Sequence, residues 1–117
     1  MNPPRFVYRL LSIAAWQRAQ SEGHFLGSEH DERDGFIHLS TAEQVAETAA
    51  RHYARQPSLL LLWVKTAELG ASLRFEPSRG GALFPHLYGP LPVSAVERAE
   101  PLSLDVEGNH RFPSALE

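Results

Sequence analysis

Apolar side chains recur at every second position in some stretches and at every third or fourth in others, and proline and glycine separate the stretches. That rhythm predicts an α+β chain. Residues 6–11 set Phe6, Tyr8 and Leu10 against Val7, Arg9 and Leu11, which reads as a first strand with one face more fully buried. Ser12 can cap a helix over 13–20, where Ile13, Trp16 and Ala19 or Gln20 fall on one side, and Gly23 ends it. Residues 22–35 are rich in acidic side chains and glycine, so an exposed loop is expected there. Phe36-Ile37-His38-Leu39 is a short strand with Phe36, His38 and Ser40 on one face and Ile37 and Leu39 on the core face.

Ser40-Thr41-Ala42-Glu43 fits a capping box and predicts the second helix, with Val45, Ala49, His52 and Tyr53 as its stripe, stopped at Gln56-Pro57. The unbroken run Leu59 to Val64 suits a central strand covered on both faces. Residues 66–70 form a turn, Leu73 to Glu76 alternate as a strand, and Ser78-Arg79-Gly80-Gly81 is a flexible tip. Three prolines between Phe84 and Pro92 argue for an ordered, aromatic-rich loop rather than a strand inside a sheet. A last strand is expected within 93–102, and little holds the tail from about residue 105. The expected architecture is a small bent mixed sheet with two helices.

With 117 residues, one domain spanning 1–117 is expected. A formal charge of −3 gives no reason to expect a nucleic-acid partner. The absence of cysteine removes thiolate metal sites and sulfur nucleophiles. No stretch reads as a signal peptide or membrane span, so the expectation is a cytoplasmic protein without a membrane partner.

Candidate chemistry centres on histidine. His38 and Ser40 share a strand face and could present a donor and an acceptor to one ligand, although the same spacing suits a satisfied boundary histidine and a plain helix cap. A helix opening at Ser40-Thr41 would aim free amides at a small anionic ligand, yet neither common phosphate-binding glycine loop is present. His86 and Tyr88 point the same way from an extended backbone, with Gly89 allowing close approach; the segment could equally be a packed lid. Glu76, beside Arg74, could orient a ribose hydroxyl, act as a base, or be a solvated surface charge. His30, Asp31, Glu32, Asp34 and His38 lack the His-x-x-x-His spacing, so no metal site is expected. No Gly-x-Ser-x-Gly elbow exists.

The segments Asp34-Gly35-Phe36-Ile37-His38-Leu39-Ser40-Thr41 and Phe84-Pro85-His86-Leu87-Tyr88-Gly89-Pro90-Leu91 resemble the signature of the DUF952 family of small bacterial proteins. Trp16, Gln44-Val45, the leucine-rich strand and Leu73 to Glu76 follow in the family's order. The resemblance implies a fold similar to that of the ADP-ribosyltransferases, whose cleft holds NAD. There His38-Leu39-Ser40 resembles a His-x-Ser element whose histidine meets the nicotinamide ribose. By the same resemblance His38 and Glu76 would be catalytic, with Glu97 as an alternative glutamate and Tyr88 or Tyr53 stacking on a ring. His38, Ser40, Thr41, His86, Tyr88 and Gly89 would bind the cofactor, NAD or a related nucleotide. The rival expectation is a non-catalytic module that binds a small metabolite or a peptide, and a homodimer face is a third.

Overall fold

The computed structural model describes residues 4–114 and 116. Its elements are β1 (Phe6–Ser12), α1 (Ile13–Glu22), β2 (His24–Phe25), α2 (Glu29–Asp34), β3 (Ile37–His38), α3 (Val45–His52), β4 (Leu59–Lys65), β5 (Leu73–Pro77), β6 (Leu83–Leu87), β7 (Leu91–Pro92) and β8 (Val96–Leu102). The fold is α+β, with antiparallel sheets ordered β1-β4-β8 and β3-β6-β5 and a two-stranded ladder of β2 with β7. Among the described residues no helix is long and apolar enough to cross a membrane.

The leucine-rich run forms β4, the middle strand of its sheet. Its side chains feed two cores. Leu59, Leu61 and Trp63 join Phe6, Tyr8 and Leu10 beneath Val45 and Ala49 of α3. Leu60, Leu62 and Val64 join Val7 and Leu11 against Trp16 and Ala19 of α1 and against Ile37, Leu39 and Leu87 of the second sheet. Because both faces are covered, the strand carries no polar alternation. Ser12 closes β1 and caps α1, its hydroxyl accepting the Ala15 N–H at 3.1 Å, and Gly23 ends that helix with φ 88°.

Several expectations are corrected. Among the described residues, three α-helices replace two, and every strand pairing is antiparallel rather than mixed. The stretch expected as an exposed loop contains β2 and α2. Ser28 caps α2 in a reciprocal box with Asp31, which is buried, and Gly35 ends it with φ 86°. The box works with Asp in place of Glu because the shorter carboxylate still reaches back to the Ser28 N–H, at 2.7 Å.

Ser40 is not a helix cap. It bridges to β1, Tyr8 N–H donating to its carbonyl at 2.7 Å and its own N–H to the Tyr8 carbonyl at 2.9 Å, while α3 begins at Val45. That bridge fastens the second sheet to the edge of the first. Gln44 takes over at the helix start, its Oε1 accepting the Thr41 N–H at 3.1 Å.

The expected loop over Phe84–Pro92 is instead two strands, and β6 is the middle strand of its sheet despite Pro85. In a strand, N–H and C=O of one residue face the same neighbour, and the Pro85 carbonyl accepts from Leu39 N–H at 3.0 Å. The missing proline donor therefore falls beside the end of β3, where the ladder is already stopping, and the pairing with β5 stays intact. After β8, Asp105 accepts the N–H groups of Glu107 and Asn109, Arg55 N–H donates to the Gly108 carbonyl, and Phe112 and Leu116 pack on the core beneath α3.

Candidate functional site

His38 on β3 and His86 on β6 are direct partners in the antiparallel register, so their side chains leave the same face of the sheet. Their ring centroids are 5.9 Å apart, and both line a cavity of about 870 Å³ bounded by β1, α2, α3 and the second sheet. Phe36 stacks on His86 at 3.9 Å and lies 4.7 Å from His38, so the rings form one aromatic row.

Each imidazole rests its Nδ1 on a carboxylate. For His38 the partner is Asp31 Oδ1 at 2.7 Å, and for His86 it is Glu76 Oε1 at 2.8 Å. Such a partner fixes the ring orientation and directs Nε2 away from it. Nε2 of His38 meets Asp34 Oδ2 at 2.9 Å. His86 is buried, and its Nε2 has no hydrogen-bond partner among the described residues.

Asp31 is the hub of this arrangement. Its oxygens accept from the His38 backbone N–H at 2.9 Å, from Ser28 Oγ at 2.9 Å and from Arg9 Nη1 at 3.0 Å. Arg9 Nη1 also donates to the His38 carbonyl at 3.0 Å. Burial by itself would raise the carboxyl, but the hydrogen bonds from His38, the charge and hydrogen bond of Arg9, and the Ser28 N–H outweigh it and hold Asp31 well below the usual carboxylate range. It is therefore a fixed anion at neutral pH.

The opposite wall is cationic. Arg79, from the turn before β6, sends Nη1 to within 3.4 Å of His52 Nε2 and lies over the Phe84 ring at 5.0 Å. Its Nη2 is buried without a hydrogen-bond partner among the described residues. Burial first, then the positive charges of Arg79, His30, Arg51 and His38, lowers His52 from its ordinary value, which leaves that ring neutral and able to accept.

Residues 10–99 match the sequence profile of DUF952, described as a protein of unknown function. The chain belongs to the DUF952 family. Among solved structures, this DUF952 chain is similar to the crystal structure of protein CC0527 from Caulobacter crescentus, with 50% identity over 91% of this chain and 93% of that one and a TM-score of 0.88. It is likewise similar to the solution NMR structure of CC0527, with 50% identity, 91% of each chain covered and a TM-score of 0.82. No curated protein matches.

The two DUF952 signature segments thus become β3 and β6 with the residues around them. Of the residues singled out from sequence, His38, Ser40, His86 and Tyr53 line the cavity. Ser40 Oγ pairs with Thr48 Oγ1 at 3.0 Å, and Tyr53 Oη donates to the Leu10 carbonyl at 3.3 Å. Thr41, Glu76, Tyr88, Gly89 and Glu97 are not in the wall. Glu76 sits behind His86, where it also accepts from Tyr88 Oη at 2.7 Å; the Tyr88 and His86 hydrogen bonds lower its carboxyl, and the bond to Glu76 raises the Tyr88 phenol. Glu97 is on β8, 3.9 Å from Arg5.

Sequence reasoning missed Arg9, Arg79 and the roles of Asp31 and His52. Two signals were available: a lone arginine inside an otherwise apolar strand, and Ser28-x-x-Asp31 preceding a glycine at a helix length. The missing His-x-x-x-His spacing excludes only paired histidines on one helix. Because α2 exists, His30 and Asp34 are one turn apart, and β3 brings His38 beside them, so that one ligand atom from each lies within 4.8 Å of the others.

Proposed function

We propose that the cleft binds a small anionic ligand of the nucleotide type, NAD or a related molecule, with His38, Ser40 and His86 toward its ribose and Arg79 and His52 toward its phosphates. The observation that carries this reading is that two carboxylate-oriented imidazoles face an unpartnered guanidinium nitrogen across one cavity. An arginine nitrogen left without an acceptor is a standing demand for an oxyanion. The volume of about 870 Å³ suits a ligand of this size. The resemblance of His38-Leu39-Ser40 to the His-x-Ser element of the ADP-ribosyltransferases is what suggests NAD among nucleotides.

Transfer of ADP-ribose, or cleavage of the glycosidic bond, is the further step that the same analogy implies. It calls for a carboxylate facing the anomeric carbon. Glu76 instead serves His86 and Tyr88 from outside the wall, which favours the reading of a binding module without turnover.

Thermal denaturation with NAD, ADP-ribose and inorganic pyrophosphate tests the proposal. A ligand of the folded state at about 100 times its Kd adds about 2.7 kcal/mol, a rise on the order of 10 °C for a domain of this size. Arg79 stands on an exposed turn, so Arg79→Ala should fold normally and bind about 10-fold to 100-fold more weakly through the lost charged hydrogen bond. No shift with any of the three compounds, or a shift that Arg79→Ala leaves unchanged, overturns the reading.

A further inference from the structure

We infer that His30, Asp34 and His38 form a binding site for a divalent transition-metal ion of the zinc type, with its remaining coordination positions open to the cleft. The site stands on its own geometry and does not rest on the nucleotide reading.

His30 and Asp34 project from successive turns of α2, and His30 Nε2 lies 3.6 Å from Asp34 Oδ2. His38 reaches the same oxygen from β3, its Nε2 at 2.9 Å. Ligands held about 2.0–2.2 Å from a tetrahedral ion stand about 3.3 Å from one another, so both histidine-to-Asp34 separations are already near that spacing, and the two histidine nitrogens lie within 4.8 Å of each other. In the protein alone, His38 Nε2 and Asp34 Oδ2 are hydrogen-bond partners, and the metal ion would stand in place of that bond.

What separates this cluster from a chance group of surface charges is the support behind His38. Its Nδ1 is held by the buried Asp31, which is itself locked by Arg9 and by the capping box of α2. A carboxylate on the far nitrogen fixes the ring, turns Nε2 toward the cluster as the ligating atom and raises ligand basicity, the arrangement found behind metal-bound histidines in general. His30 is less prepared: its Nδ1 meets Arg33 Nη2 at 2.8 Å. Ligation through Nε2 would shift the His30 ring proton to Nδ1 and release that exposed arginine.

Two imidazoles and one carboxylate suit zinc, cobalt, nickel or ferrous ions, whereas calcium and magnesium prefer oxygen throughout. Three protein ligands with positions left over is the pattern of a site that receives a further ligand, and not of a closed structural site. Two further imidazoles stand close by, His86 with its ring centroid 5.9 Å from that of His38 and His52 with its centroid 6.3 Å from that of His30.

The test uses the full chain without a histidine tag, stripped with EDTA and titrated with zinc by calorimetry and with cobalt by visible absorption. One ion should bind per chain, with cobalt bands of nitrogen and oxygen ligation. His30 and Asp34 side chains are 54% and 38% exposed, so His30→Ala and Asp34→Ala should remain folded, and each should weaken binding at least about 10-fold. His110→Ala, altering a histidine bonded to the Gln56 carbonyl elsewhere, should leave affinity unchanged. Absence of saturable binding at millimolar zinc, or binding that survives both α2 substitutions, overturns the inference.

Discussion

Asp31→Ala should lower stability by about 3–5 kcal/mol, enough to drop the melting temperature by more than about 10 °C in a domain of this size. The carboxylate is 2% exposed and accepts from Arg9, from the backbone and ring of His38, and from Ser28. Removing it strands the Arg9 guanidinium inside the protein, where its side chain is 6% exposed, and an uncompensated buried charge costs far more than the pair contributed. The substitution also removes the carboxylate half of the α2 capping box and frees the His38 ring, so it should weaken binding of any ligand in the cleft as well. Asp34→Ala is the control: the side chain is 38% exposed and pairs with histidines alone, so it should change stability by no more than about 1 kcal/mol. Urea denaturation followed by circular dichroism measures both. A loss for Asp31→Ala as small as that for Asp34→Ala would mean that the hub does not hold the site together.

Leu61→Ala should cost about 3–5 kcal/mol, with the denaturant midpoint falling and the slope unchanged. Leu61 is fully buried in the middle of β4, opposite Leu10 of β1, and belongs to the core beneath Val45 and Ala49 of α3. Neighbours on three elements prevent the surroundings from closing over the missing methyl groups, which places the cost high in the usual range. Leu83→Ala, at a leucine 54% exposed at the start of β6, should be close to neutral. Equal losses at the two positions would contradict the two-core arrangement around β4.

The parts of the fold that were readable from sequence are those where one local rule decides. The apolar run at 59–64 could only be a strand covered on both faces, Ser12 and Gly23 bracketed α1, and Ile37 and Leu39 were assigned to the core face that they occupy. The parts that were not readable depend on partners far along the chain. Pro85 is compatible with a middle strand only because β3 ends beside it, which no local pattern reveals. Ser40 satisfied a capping motif, but its backbone is taken by Tyr8, 32 positions away as the numbering gives it, and the helix starts later.

The site divides in the same way. His38 and His86 were legible because strand alternation puts side chains on a definite face, and the register of β3 with β6 then sets the two rings side by side. By local pattern Asp31 is one more acidic residue of a solvated loop, since its burial requires Arg9, which comes from the middle of β1, 22 positions earlier. Arg79 looked like part of a flexible tip, and only the position of α3 makes it face His52. By sequence Glu76 is a candidate for direct chemistry, whereas in the structure it accepts from His86 as an orienting partner.

The most direct test of the paired-imidazole cleft is a long-range proton–nitrogen NMR spectrum of the histidine side chains, recorded while NAD is added. The Nε2 resonances of His38 and His86 should move along one saturable curve, while His24 and His110, outside the cavity, stay fixed. If neither cleft resonance moves at millimolar NAD, or if the two titrate with unrelated affinities, these rings do not serve a common nucleotide ligand.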